Sequence, residues 1–215
     1  PMIISHSHKF ISFAIPKTGT HAVRFALRPF LEVGDEEQVA LFHHSKLQTG
    51  DFKKRKNGHI TALEIKPHLS PEIWTSYLKF AFMRNPYERF VSACFFKHPL
   101  LSKEYTNVTK CRAYMKLLIQ RESNQTSLFF KPQCDYITGE EGEILVDFIG
   151  QTENMEKDLK SVFSRLNLPF KSPEKINSSN HLPYRSYYDE ELQSLISHFY
   201  KKDFDLFKID DLKKI

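Results

Sequence analysis

Phe10-Ile11-Ser12-Phe13-Ala14-Ile15-Pro16-Lys17-Thr18-Gly19-Thr20-His21 carries more structural information than any other run in the chain. Phe10 to Ala14 is short, apolar and rich in aromatic residues, the composition of a buried strand. Pro16 ends it, because proline has no N–H for a sheet ladder and biases the residue before it toward extended geometry. Gly19 can take backbone angles closed to other residues. Val23, Ala26, Leu27 and Phe30 then recur at the i, i+3, i+4, i+7 spacing of one helix face. Strand, tight turn and helix together make a cradle for an anion. N–H groups at a helix start point outward without partners, the helix dipole adds partial positive charge, and Lys17 adds a full cation. A plain strand-to-helix turn with a surface lysine has the same elements, so this stretch alone leaves both readings open. It is not a Walker A loop, because Lys17 precedes Gly19 and no Gly-Lys-Ser/Thr follows an earlier glycine.

A second strand-to-helix junction repeats the theme. Tyr77-Leu78-Lys79-Phe80-Ala81-Phe82-Met83 has a buried-strand pattern and runs into Arg84-Asn85-Pro86-Tyr87-Glu88-Arg89-Phe90-Val91-Ser92. Pro86 suits the first turn of a helix and Asn85 its cap. Arg84 then sits at the strand's end and Ser92 about two turns into the helix. A guanidinium and a hydroxyl converging there make a second site for phosphate oxygens.

These residues resemble a known family. Pro16-Lys17-Thr18-Gly19-Thr20 is similar to the 5′-phosphosulfate loop of sulfotransferases, whose shared donor is 3′-phosphoadenosine 5′-phosphosulfate (PAPS). Phe82 to Ser92, with its Arg and Ser eight residues apart, resembles their 3′-phosphate motif. The second motif looks most like the carbohydrate sulfotransferases, including the heparan-sulfate 2-O enzymes and bacterial sulfotransferase family 2. Gly58-His59-Ile60 resembles the segment that carries the base histidine in the 2-O enzymes. Val146 to Met155 resembles a late strand leading into a helix, and Tyr200…Asp203…Phe204…Phe207 the closing signature. His21 departs from the pattern, standing where many carbohydrate enzymes have Thr or Ser.

The resemblance implies a single P-loop-like, three-layer α/β domain over residues 1–215 with a mainly parallel central sheet. It implies PAPS as donor with no metal required, and a hydroxyl-bearing acceptor, a carbohydrate in this branch. Lys17, Thr18, Gly19, Thr20 and His21 would hold the 5′ end, and Arg84 and Ser92 the 3′-phosphate. Asn177 and Arg185 lie in a region that folds over the donor in relatives. Gln133 recurs in the bacterial pattern and is the acceptor-binding candidate. His59 would take the acceptor's proton, a task suited to a group that titrates near neutrality. Without the resemblance, His59 reads as a histidine that caps or packs at a strand edge.

Bulk properties narrow the alternatives. A chain of 215 residues with 40% hydrophobic content and 19 Phe suits one domain with a sizeable core. A net charge of +5 points to anionic partners. Nucleic acid is disfavoured, since no binding module appears and Lys53-Lys54-Arg55-Lys56 is the one basic run. Cys94, Cys111 and Cys134 are an odd count without Cys-x-x-Cys spacing, which favours reduced thiols over a disulfide framework or zinc. The His6-x-His8 pair and His43-His44 have no carboxylate nearby in sequence, so a metal is not expected there. No membrane-length apolar run or signal peptide is visible. A cytoplasmic, bacterial-type enzyme is the expectation, with a trimmed luminal Golgi domain as alternative in view of the sequons at Asn107, Asn124 and Asn177. Two other functions stay open: a P-loop-type nucleotide kinase, and a non-catalytic module that binds anionic glycan.

The remaining elements read as follows. Residues 33–58 form a polar loop, and Ser70-Pro71-Glu72 starts a helix with Ile73, Trp74 and Tyr77 packed behind it. Lys110 to Arg121 is helical with Tyr114, Leu117, Leu118 and Arg121 on one side. Ile144 to Ile149 is a strand, and Thr152 caps the helix that follows. Asp189 begins the last helix, burying Leu192, Leu195, Ile196, Phe199 and Tyr200.

Overall fold

Continuous apolar runs build the sheet from the inside. In the computed structural model, which describes residues 2–38, 52, 57–170, 172 and 181–208, Met2–Ser5 (β1) and Phe10–Phe13 (β2) are buried at every position. Glu36–Gln38 (β3), Leu78–Met83 (β4) and Phe148–Gln151 (β5) complete a five-stranded sheet in the order β3-β1-β2-β4-β5. β2 pairs parallel with β4 from Phe10↔Leu78 to Phe13↔Ala81, and β4 pairs parallel with β5 from Phe80↔Phe148 to Met83↔Gln151. β1 runs antiparallel to both β2 and β3.

The sheet is mostly parallel at its centre, as expected, across β2-β4-β5, and the antiparallel pairing of β1 with β2 and β3 makes it mixed toward one edge. A short hairpin, which needs no crossover helix, returns the chain from β1 to β2. Its turn is tied by Asp35, whose carboxylate accepts from the Ser5 and Ser7 hydroxyls at 2.9 and 2.6 Å and from the His6 N–H at 2.6 Å. His6 also meets a carboxylate after all, with Nε2 3.3 Å from Glu36. β3 lies in a segment expected to be loop. The strand expected at Ile144–Ile149 starts later, and Ile144 instead forms an isolated bridge with Thr138.

The helices are Thr20–Leu27 (α1), Ala62–Ile65 (α2), Pro71–Ser76 (α3), Pro86–Lys97 (α4), Pro99–Lys103 (α5), Val108–Asn124 (α6), Met155–Arg165 (α7), Glu190–Phe199 (α8) and Lys201–Phe207 (α9). α9 follows α8 directly, so the helix that Asp189 caps is not the last. Local chemistry sets several starts. Ser70, Asn85, Asn107 and Asp189 each accept a backbone N–H from the first turn that follows, and Pro71 and Pro86 occupy first-turn positions. Thr152 does not cap α7. Its hydroxyl donates to the Met83 carbonyl at 2.8 Å instead. On α6 the buried stripe is Cys111, Met115, Leu118, Ile119 and Glu122, while Tyr114 and Leu117 face outward.

The chain divides into two compact units, Pro1–Met83 with Asp135–Ile176, and Arg84–Cys134 with Asn177–Ile215. In the first, α1 and α7 pack Val23, Leu27, Leu159, Val162 and Phe163 against Ile3, Phe10, Phe80 and Phe82 of the sheet. The second has its own core, in which α4, α6 and α8 contribute Phe90, Cys94, Met115, Ile119, Leu192 and Ile196. Cys94, Cys111 and Cys134 are free and buried. No helix among the described residues is long and apolar enough to cross a membrane.

Candidate functional site

β2 stops at Phe13, and the chain turns through Pro16 to Gly19 before α1 begins. Two residues of the turn have left-handed backbones, Lys17 at φ 68° and Gly19 at φ 75°. For lysine that conformation is uncommon and costs energy unless the surroundings hold it. Successive N–H groups in such a turn converge into an anion-binding concavity. Gly19 is also the N-cap of α1 and supplies no side-chain cap, which leaves the first-turn N–H groups to the loop's mouth. A Cβ at Gly19 would lie 2.6 Å from Met155 Cε and 3.6 Å from Thr152 Cγ2, so the start of α7 packs directly on this glycine.

The Thr18 side chain is fully buried, and its hydroxyl donates to the Ile15 carbonyl at 3.0 Å. That bond braces the turn and leaves Thr18's backbone N–H as its group for a ligand. His21 is exposed on the first turn of α1. Desolvation, and then the positive charges of Arg24 and Lys17, hold its pKa below the ordinary histidine value. Beneath the turn a small cleft is lined by Ser12, Thr18, Thr20, Arg24 and Phe82, among others.

His59 belongs to the same unit. Its Nδ1 lies 2.7 Å from the Ala14 carbonyl, one residue beyond β2. A carbonyl only accepts, so Nδ1 carries the hydrogen and the neutral ring keeps its lone pair on Nε2. Flanking bonds fix the segment. The His59 N–H donates to Asn57 Oδ1 at 3.1 Å, and Thr61 and Glu64 form a reciprocal capping box at the start of α2. An imidazole held in this tautomer can take a proton from a hydroxyl.

Arg84 and Ser92 lie in the second unit. Arg84 Nη2 donates to Glu88 at 2.8 Å, and Ser92 sits two turns along α4 with 3% exposure. Gln133 has no exposed surface, and its amide is spent on the Arg84 peptide. Arg185 is exposed, its guanidinium 5.6 Å from the Tyr184 ring centroid. Asn177, His43, His44 and the run Lys53–Lys56 fall outside the described residues.

Three features escaped the sequence reading. Arg24 and Glu37 form a buried ion pair between α1 and β3, with Arg28 at 3.7 Å from the same carboxylate. Removing one member of such a pair strands a buried charge, typically at about 3–5 kcal/mol. The signal was weak, because Glu37 lies in a three-residue strand of polar composition. The Thr152 and Met155 contacts and the Gln133 amide bonds join residues tens of positions apart, and spacing along the chain does not report such pairs. Among the described residues no group of three or more His, Cys, Asp or Glu stands close enough to hold a metal.

A central parallel strand feeding a lysine-and-glycine turn into a helix defines an α/β protein whose turn, at the C-terminal end of the sheet, has the geometry that suits an anion. The family follows from comparison. A model of the sulfotransferase family matches residues 1–210, and the chain belongs to that family, in its family 2 branch. It is also 26% identical over 121 residues to an uncharacterized protein of Archaeoglobus fulgidus, covering 56% of this chain and 93% of the relative. No solved structure matches it.

Proposed function

We propose that the protein transfers a sulfuryl group from PAPS to a hydroxyl, with a carbohydrate as acceptor. Family membership supports sulfuryl transfer in general. The observation that carries the finer reading is the Pro16–Gly19 turn, left-handed at Lys17 and Gly19, with His59 anchored on the strand that feeds it. The turn suits the donor's anionic 5′ end, since the left-handed backbones of Lys17 and Gly19 bring successive N–H groups together and Lys17 carries a positive charge. The family match across both units supports treating them as one P-loop-like, three-layer sulfotransferase domain.

On this reading the N–H groups of residues 18–21 bind the 5′-phosphosulfate oxygens, and Lys17 stabilises the charge that grows on the bridging oxygen. The acceptor oxygen forms its bond to sulfur in line as the bond to the leaving 5′-phosphate breaks, and its proton passes to His59 Nε2. Arg84 and Ser92 bind the 3′-phosphate and select the donor over nucleotides that lack it. Asn177 and Arg185 are further candidates for donor contacts. Positioning and preorganised charge should dominate the rate, as in phosphoryl transfer. A reducing compartment suits three buried free thiols, and the cytoplasm is the location we adopt.

Calorimetry with 3′,5′-ADP and 5′-AMP tests the donor assignment without knowledge of the acceptor. The bisphosphate should bind at least tenfold tighter, the worth of one charge-assisted hydrogen bond of about 1.5 kcal/mol or more. Equal affinities would point to a module that does not recognise the 3′-phosphate, and magnesium-dependent ATP binding to a kinase.

A further inference from the structure

The ladder between β4 and β5 ends at Met83↔Gln151, and Arg84 is the next residue. Its peptide N–H and C=O need partners, because an unsatisfied backbone group away from water is costly. Pro86, two residues on, has no N–H to offer. The Gln133 side chain meets both demands. Arg84 N–H donates to Gln133 Oε1 at 2.9 Å, and Gln133 Nε2 donates to the Arg84 carbonyl at 2.8 Å. A primary amide has one carbonyl and N–H donors on a single plane, so it pairs with Arg84 as another peptide would.

Gln133 is itself held from behind. Its backbone N–H donates to Asp203 Oδ2 at 2.9 Å, and the Cys134 N–H donates to Oδ1 at 2.8 Å. Asp203 has no exposed surface, and Nε2 of Gln133 lies 3.5 Å from the same carboxylate. Burial raises the Asp203 pKa, while the charge of Arg89 and the two backbone N–H groups favour its ionised form. Arg89 is also buried, and its Nη2 donates to the Phe129 and Lys131 carbonyls at 3.2 and 3.0 Å, on the loop that leads to Gln133. Every group in this network belongs to the second unit.

We infer that Gln133, braced by Asp203, is a positioning residue for the 3′-phosphate site: it fixes the Arg84 peptide and thereby the origin of the Arg84 guanidinium. The inference rests on Arg84 as the 3′-phosphate ligand proposed above. It gives the closing Tyr200…Asp203 signature a task in donor selectivity, although Asp203 itself would touch no ligand. A guanidinium that wanders by an ångström loses the directional bonds that separate a bisphosphate from a monophosphate.

The test is the ratio of the 5′-AMP to the 3′,5′-ADP dissociation constants, measured by calorimetry on the full chain. Gln133→Met conserves volume in a site closed to water and removes both amide bonds. It should weaken 3′,5′-ADP about tenfold, with 5′-AMP unchanged, so the ratio falls about tenfold. Asp203→Asn keeps the shape but turns one oxygen into an NH₂ group facing a backbone N–H. It should lower the same ratio by a smaller factor, and it serves as the second variant should Gln133→Met not fold. A Gln133→Met protein that keeps the wild-type ratio overturns the inference, as does one that loses affinity for both nucleotides equally. A wild-type protein without preference for the bisphosphate overturns the Arg84 assignment itself and this inference with it.

Discussion

Replacing Gly19 by alanine probes the cradle with a magnitude that follows from its geometry. At φ 75° and ψ 23° the residue is left-handed, where an L side chain costs about 1–2 kcal/mol. The new Cβ would also stand 2.6 Å from Met155 Cε, far inside van der Waals contact. The thioether end is flexible and can retreat, so this overpacking should add about 1 kcal/mol, near the low end for such changes. Together the two effects come to about 2–3 kcal/mol. For a chain of this size each kcal/mol lowers Tm by about 2–4 °C, so calorimetry should record a fall of about 4–12 °C. Adding Met155→Ala separates the contributions. The double variant should recover about 1 kcal/mol relative to the sum of the single changes, because the clash is gone while the backbone strain remains. Affinity for 3′,5′-ADP should stay low in both, since the strain distorts the N–H concavity directly. A Gly19→Ala protein that melts with the wild type, or a strictly additive pair, would refute the geometry on which the cradle depends.

Two further outcomes concern the chemistry. His59→Ala should lower turnover by about 10²–10⁴, the usual worth of a general base, while calorimetric affinity for 3′,5′-ADP stays unchanged. Labelled PAPS with an acceptor screen read by mass spectrometry checks it, and undiminished transfer refutes the base assignment. His21 should make donor binding depend on pH. Its pKa is depressed in the free protein by desolvation and by Arg24 and Lys17, and a bound phosphate nearby would raise it. Binding then takes up a proton between the two values, so 3′,5′-ADP should bind more tightly as pH falls through the region around and below 6.5, the ordinary histidine value. His21→Gln removes that component and leaves only the slope due to the phosphates. Identical slopes in the two proteins would exclude His21 from the site.

Local chemistry was readable from sequence wherever neighbouring residues settle it. The strand at Phe10, the stop at Pro16, the glycine at the start of α1 and the Asn85-Pro86 entry to α4 each depend on sterics within a few residues, and each is present in the structure. The α6 face shows where such reading fails. Tyr114 and Leu117 are apolar enough to suit a core, yet the packing of the second unit buries Cys111, Met115 and Ile119 instead, because periodicity fixes a stripe's width better than its direction. β3 is missed for a related reason, since Glu37 is buried only through its pairing with Arg24 and the pairing of its strand with β1.

By itself the sequence determined the family and the two strand-to-helix junctions, because motif spacing and backbone sterics are properties of the chain over short distances. Tertiary structure alone decided the antiparallel edge of the sheet, the tautomer of His59 through the Ala14 carbonyl, and the burial of Gln133 against Arg84 and Asp203. Those features are hydrogen bonds between groups remote along the chain, and a polar side chain's partner is chosen by which unsatisfied group the fold brings within reach.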